Sequence, residues 1–215
     1  MGKNFLTAGL TGLLAAAMLV SCADVPSTGP TPPDFVSEFR FVHAASDLGN
    51  VQVTVDGANA GSLEPGKSTG HATYPAGSRR VSVGSGDPQN VAMTTDQRGT
   101  FVIMPTVAGF REFMKLSERR IFDTPISNRA RIVSAQPDNE LTVAAISTTG
   151  DTVLAATSLS YKQNTGYFDA PAGDYRLEFR AGSGQNNTTT VSVSGSHTAI
   201  LMGSGSAVSL IYLSD

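Results

Sequence analysis

Hydrophobic and polar residues alternate along most of this chain, and they do so twice on one plan. Phe39 and Phe41, then Val51, Val53 and Val55, stand at every second position with polar residues between most of them. A period of two marks a strand with one buried face. Val81-Ser82-Val83 repeats the pattern, and further strands are predicted over 91–95, 100–104 and 110–116. Turn chemistry separates these runs. Asp56-Gly57 supplies the positive φ angles that a type I′ hairpin needs. Pro75-Ala76-Gly77 marks a second turn, and Gly84-Ser85-Gly86-Asp87-Pro88 ends a strand. No stretch of the repeated region carries a helical period. About seven short strands per copy predict a small antiparallel β-sandwich of immunoglobulin-like type.

The second copy follows the first in order. Arg40-Phe41-Val42-His43-Ala44-Ala45-Ser46-Asp47 matches Arg131-Ile132-Val133-Ser134-Ala135-Gln136-Pro137-Asp138. Val51-Gln52-Val53 matches Leu141-Thr142-Val143, and Pro75-Ala76-Gly77 matches Pro171-Ala172-Gly173. Gly84-Ser85-Gly86 matches Gly182-Ser183-Gly184, and Leu116-Ser117-Glu118 matches Leu213-Ser214-Asp215. A match that runs end to end is a duplication. It predicts two tandem all-β domains, over 39–118 and 130–215. Residues 147–164 hold most of the insertion in the second copy. A linker over 119–129 joins the two. Ile121, Phe122 and Ile126 are too apolar for a free linker, and they are expected to pack between or along the domains.

The N-terminal region follows another logic. Lys3 is the only charge before Asp24, and 5–20 is an apolar run of signal-peptide length, short for a membrane span. It ends Leu19-Val20-Ser21-Cys22, which resembles the bacterial lipobox. That resemblance implies cleavage before Cys22 and lipidation of its thiol, so 1–22 is read as a lipoprotein signal. Each buried methylene of such an anchor adds about 0.8 kcal/mol, and more than one acyl chain makes attachment durable. Residues 23–38 carry four prolines and no periodicity, the composition of an extended tether.

Phe39–Phe41, Val42-His43-Ala44, Asp47, the run Val51 to Gly57 and the Pro-Ala-Gly turn together resemble the DUF4397 family of bacterial envelope proteins. The second copy departs from that pattern, with Ser134 in place of His43 and Ile146-Ser147 in place of Asp56-Gly57. The resemblance implies an all-β, often tandem, surface or periplasmic domain. It carries no catalytic residue with it.

Composition narrows the chemistry. Charged residues are only 15% of the chain, with a net charge of −3 that deepens when Lys3 is removed. A basic surface for nucleic acid is therefore not expected; Arg79-Arg80 and Arg119-Arg120 are the only basic pairs. Cys22 is the single cysteine, so a lipidated chain has no disulfide and no thiol nucleophile. His43, His71 and His197 are scattered, and none has a histidine counterpart in the other copy. No metal site is expected from them. Asp47 and Asp138 occupy equivalent places after a first strand; they read as turn-formers bonding backbone amides nearby, with a calcium or substrate carboxylate as the sharper alternative. The Gly-Ser-Gly runs at 84–86, 182–184 and 203–205 read as turns, since no helix follows to make a phosphate loop. Asn186-Asn187-Thr188-Thr189 reads as a polar hairpin loop.

These readings lead to a membrane-anchored cell-envelope lipoprotein, in the outer membrane and facing the periplasm or the surface. Its expected role is a non-enzymatic binding or structural module, without cofactor, for a protein or glycan partner. The alternatives are a hydrolase whose site only the fold assembles, and an accessory lipoprotein of an outer-membrane or secretion complex.

Overall fold

The computed structural model describes residues 34–106, 112–125 and 128–215. Among the described residues the first copy holds eight strands: β1 (Val36–His43), β2 (Val51–Val55), β3 (Ala58–Leu63), β4 (Ala72–Pro75), β5 (Gly77–Val83), β6 (Gln89–Met93), β7 (Gln97–Ile103) and β8 (Phe113–Arg120). The second repeats them as β9 (Arg129–Ala135), β10 (Leu141–Ser147), β11 (Thr152–Leu159), β12 (Phe168–Asp169), β13 (Gly173–Ala181), β14 (Asn187–Val193), β15 (Ser196–Ser204) and β16 (Ala207–Ser214). No helix occurs among the described residues. The alternating runs therefore became strands, as their period requires.

Each copy is a sandwich of two four-stranded sheets. In the first, an outer sheet β3-β2-β5-β6 faces an inner sheet β4-β1-β7-β8; in the second, β11-β10-β13-β14 faces β12-β9-β15-β16. The architecture is the expected pair of β-sandwiches, with a strand order of its own. Each inner sheet also holds one parallel pair, β1 with β7 and β9 with β15. Parallel neighbours need a long connection, and here the excursion through the outer sheet provides it.

The turns do what their residues dictate. Asp56 and Gly57 have φ of 50° and 84°, the two positive values of a type I′ turn. Pro75 ends β4 in the inner sheet and Gly77 begins β5 in the outer one, so the Pro-Ala-Gly turn carries the chain between layers. Gly84 and Gly182 turn at φ of 57° and 53°. Gly99 is glycine for a packing reason. A Cβ there would stand 2.6 Å from the Leu116 carbonyl and 2.7 Å from the ring of Phe39, its partner on β1, which packs at a tilt against Phe101 with ring centres 4.7 Å apart.

Three cores hold the layers. Phe39, Phe41, Val53, Val81 and Phe101 fill the first sandwich. Leu141, Val143, Leu177, Phe179 and Leu201 fill the second. A third core lies between the inner sheets of the two copies: Val42, Ala44, Val102, Met104 and Leu116 pack against Val133, Ala135, Ile200, Met202, Ile211 and Leu213. Residues 35–215 accordingly form one compact unit. The layers stack as outer, inner, inner, outer. The consequence for β1, β7, β9 and β15 is burial on both faces, as their runs of buried residues show. The half-buried reading of Phe39 and Phe41 is thus corrected: Arg40 between them and Val42 after them are buried as well, against the other copy.

The linker also differs from expectation. Arg119 and Arg120 belong to β8. Ile121 is half-buried, but Phe122 is 83% exposed and does not pack between the copies. Arg119 Nη1 donates to the carbonyls of Arg120, Ile121 and Asp123, and these bonds shape the turn without help from Phe122. Ile126 lies outside the described residues, as do Cys22, the signal region and the tether through residue 33.

Candidate functional site

Charged and polar groups collect at the end of the seam between the two inner sheets. β1 places Arg40 between the apolar Phe39 and Phe41, and β9 places Arg131 between Ala130 and Ile132. Both point into the seam because their strand neighbours point into the sandwich cores. Arg40 Nε donates to Thr100 Oγ1 at 2.8 Å, and Arg131 Nε donates to Thr198 Oγ1 at 2.8 Å. Each threonine then donates to the equivalent acid of its own copy, Glu118 inside β8 or Asp215 just after β16: Thr100 to Glu118 at 2.5 Å, and Thr198 to Asp215 at 2.7 Å. Each arginine also reaches across. Arg40 Nη1 donates to the Ser214 carbonyl, and Arg131 Nη1 to the Ser117 carbonyl at 2.8 Å. These are equivalent atoms in the two copies, so the seam has a pseudo-twofold axis.

The symmetry breaks in the charges. Arg40 Nη2 pairs with both acids, Glu118 at 3.1 Å and Asp215 at 2.7 Å. Arg131 pairs with neither. Its guanidinium lies 4.5 Å from the Tyr167 ring centre, and its Nη2 is buried without a hydrogen-bond partner. Arg129 covers the same ring at 3.8 Å. His71 and Tyr167 are equivalent residues, each after a glycine and just before β4 or β12. His71 Nε2 bonds Glu118 Oε2 at 3.1 Å, and the Tyr167 hydroxyl donates to Asp215 Oδ2 at 2.7 Å. Arg98 Nη2 lies 3.0 Å from His71 Nδ1. A guanidinium can only donate, so Nδ1 accepts and Nε2 carries the proton given to Glu118.

The surroundings shift two of these groups, Glu118 and Tyr167, away from neutrality. Burial raises the Glu118 carboxyl, but the bonds from His71 and Thr100 and the charge of Arg40 outweigh it and bring it from 4.5 to about 2. Burial pushes the Tyr167 hydroxyl up to about 12, with Asp215 adding to the rise and Arg131 opposing it. Glu118 thus stays ionised and Tyr167 keeps its proton at neutral pH. The cluster is a brace between copies. Beside it lies a cleft of about 210 Å³, lined by Arg119, Arg129, Ser194, Ser196 and the two acids.

The residues singled out in the sequence fall elsewhere or take structural roles. His43 is fully buried in β1 and bonds the Gly49 carbonyl at 2.9 Å. His197 stacks flat on Tyr212 at 4.9 Å, and burial lowers its pKa against the pull of Asp215. The three histidines do not come together, and among the described residues no group of three or more His, Cys, Asp or Glu could hold a metal ion. Asp47 and Asp138 are exposed and stand in a turn and a bend as read, but the amides they accept from are distant ones and not those two residues on. Asp47 accepts from the Thr106 amide and Asp138 from the Gly205 amide, so each ties its loop to the distant last hairpin of its copy. Arg79 pairs with Asp56 at the hairpin. Gly84-Ser85 and Gly182-Ser183 are turns, while the third run straddles the end of β15, with Gly203 and Ser204 in the strand. The asparagine-threonine stretch is not a loop, because Asn187 begins β14.

The seam is not legible in either copy alone, although Arg40 and Arg131, like Glu118 and Asp215, hold matching places in the repeat. The available signal was a charge recurring at one place inside an apolar run in both copies. No family model matches this chain, and no curated protein is significantly similar to it.

Proposed function

We propose that this chain is a lipid-anchored protein of the bacterial cell envelope, of the DUF4397 type, that presents its paired sandwiches as a rigid, non-enzymatic binding or structural body. The observation that carries the reading is the seam. Arg40 and the two acids are taken up in bracing one copy against the other, across a third apolar core. A body braced in this way keeps its outer sheets and loops in fixed relation, which lowers the ordering cost of holding a protein or glycan partner. The Leu-Val-Ser-Cys ending supports the anchor, with Cys22 as the lipid acceptor and the Pro-rich stretch as spacer.

Fractionation tests the anchor. Cys22→Ser is expected to abolish incorporation of labelled fatty acid and to leave an unprocessed or soluble product. Equal membrane partitioning of the variant, with the signal removed elsewhere, would refute it. Pull-down from solubilised envelope with the lipidated protein tests the binding role. Turnover of an envelope substrate that substitutions near the seam cleft abolish would favour the hydrolase alternative.

A further inference from the structure

The outer edges of the two sandwiches are protected differently. In the first copy the edge strand β6 is short, and Lys115 reaches it from β8, donating to the Ala92 carbonyl at 3.0 Å. A lysine at a sheet edge opposes further strand addition, because a new strand would have to bury its charge. The second copy keeps the contact and loses the charge. Tyr212 occupies the place of Lys115 and donates to the Ser192 carbonyl at 3.1 Å, Ser192 being the counterpart of Ala92. The edge there, β14, is seven residues long and pairs with β13 in unbroken register. Residues 181–214 contain no Lys, Arg, Asp or Glu at all.

The other edges each carry a device that β14 lacks. β3 and β11 have register shifts against their neighbours. β4 ends in Pro75, and β12 has two residues. β8 carries Lys115, Glu118, Arg119 and Arg120. β16 has its Ser214 carbonyl capped by a charged group, Arg40 of the other copy, where β14 has only the neutral Tyr212 hydroxyl on Ser192.

We propose that β14 is a docking edge through which two copies of this chain join, their outer sheets becoming one continuous antiparallel sheet. Because Tyr212 takes the Ser192 carbonyl, that residue's backbone polar groups face away from β13. The antiparallel alternation then turns those of Thr190 and Thr188 outward too. A twofold axis through Thr189 sets Thr188 of each copy opposite Thr190 of the other, exchanging both backbone bonds and leaving Ser192 untouched. The side chains of Thr188 and Thr190 are exposed on one face, where threonine pairs across strands are favourable. A strand meeting itself brings every charge against its own kind, and β14 has none to bring. This is the argument for a second copy as the occupant.

Sedimentation equilibrium of the full chain in detergent tests this. A monomer–dimer equilibrium is expected, and Thr190→Lys should raise the dimer dissociation constant at least about tenfold. Thr190→Ser should leave it unchanged, and so should Ala92→Lys on the equivalent edge of the first copy. Unchanged circular dichroism and melting would show that each variant folds, since Thr190 and Ala92 are both exposed. A wild-type monomer up to roughly 0.1 mM would overturn the proposal. So would a Thr190→Lys dimer as tight as wild type, or equal weakening by Ala92→Lys. Capture of a different protein by β14, with the chain itself monomeric, would also overturn it.

Discussion

Arg40 and Asp215, 175 residues apart, meet at 2.7 Å and close the seam between the two repeats. Both side chains are almost fully buried, at 7% and 2% exposure. The pair joins the first strand of one copy to the end of the other, and Glu118 completes it on the same guanidinium.

Removing that guanidinium takes away the ion-pair partner of buried Asp215 and leaves buried Glu118 to Arg98, 3.6 Å away, and His71. Arg40→Ala is expected to destabilise the protein by about 3–5 kcal/mol, the cost of leaving buried charge uncompensated. Arg40→Lys should recover little of this, since an ammonium cannot span Thr100, Glu118, Asp215 and the Ser214 carbonyl together. Urea denaturation measures both. A loss under about 1 kcal/mol for Arg40→Ala would mean that the seam tolerates water.

The third core makes the copies interdependent. Val42, Val102, Val133 and Ile200 are fully buried between them. Full burial of such side chains is worth about 1.5–3 kcal/mol each. Fragments 35–120 and 128–215 expressed separately are therefore expected to aggregate or fold marginally, and to recover a one-to-one complex when coexpressed. Ile200→Asp should block that complex. Two monomeric fragments that ignore each other in gel filtration would show that the seam contributes little.

Alternation in the outer sheet distinguishes two adjacent residues. Val53 is fully buried in the first core, while its neighbour Gln52 is exposed. Val53→Asp should cost several kcal/mol, roughly 3 or more, and Gln52→Asp within about 0.5. Thermal melts of the two variants read the difference. Similar losses would mean that both faces of β2 are covered.

Glu118 links stability to acid. Its pKa in the folded protein, about 2, lies below its ordinary 4.5. A depressed value gives stability that is complete above about pH 4.5 and disappears as pH falls toward 2, worth about 3 kcal/mol in all. Urea midpoints between pH 6 and 2 should fall more steeply for the wild type than for Glu118→Gln. Parallel profiles would show that another group governs the acid limb.

Local order in this protein follows from residue pattern and turn chemistry alone. The period-two runs made strands because a strand's side chains alternate between faces. Asp56-Gly57, Pro75-Ala76-Gly77 and Gly84-Ser85 made turns because their φ requirements leave little choice. The end-to-end match of the copies showed that the sandwich is built twice. Tertiary structure alone decided what the second face of β1, β7, β9 and β15 meets. Alternation reports whether a face is buried, not against what, so Arg40 read as the solvent side of a strand. Its partner Asp215 is equally unreadable from position, because an ion pair between residues so distant depends on how two whole sandwiches pack. The same holds for His71 and Tyr167, which share a place in the repeat but no chemistry in common until each is seen against the acid it bonds. Phe122 shows the converse: an apolar residue in a charged linker stays in solvent when the backbone bonds of Arg119 already hold the turn.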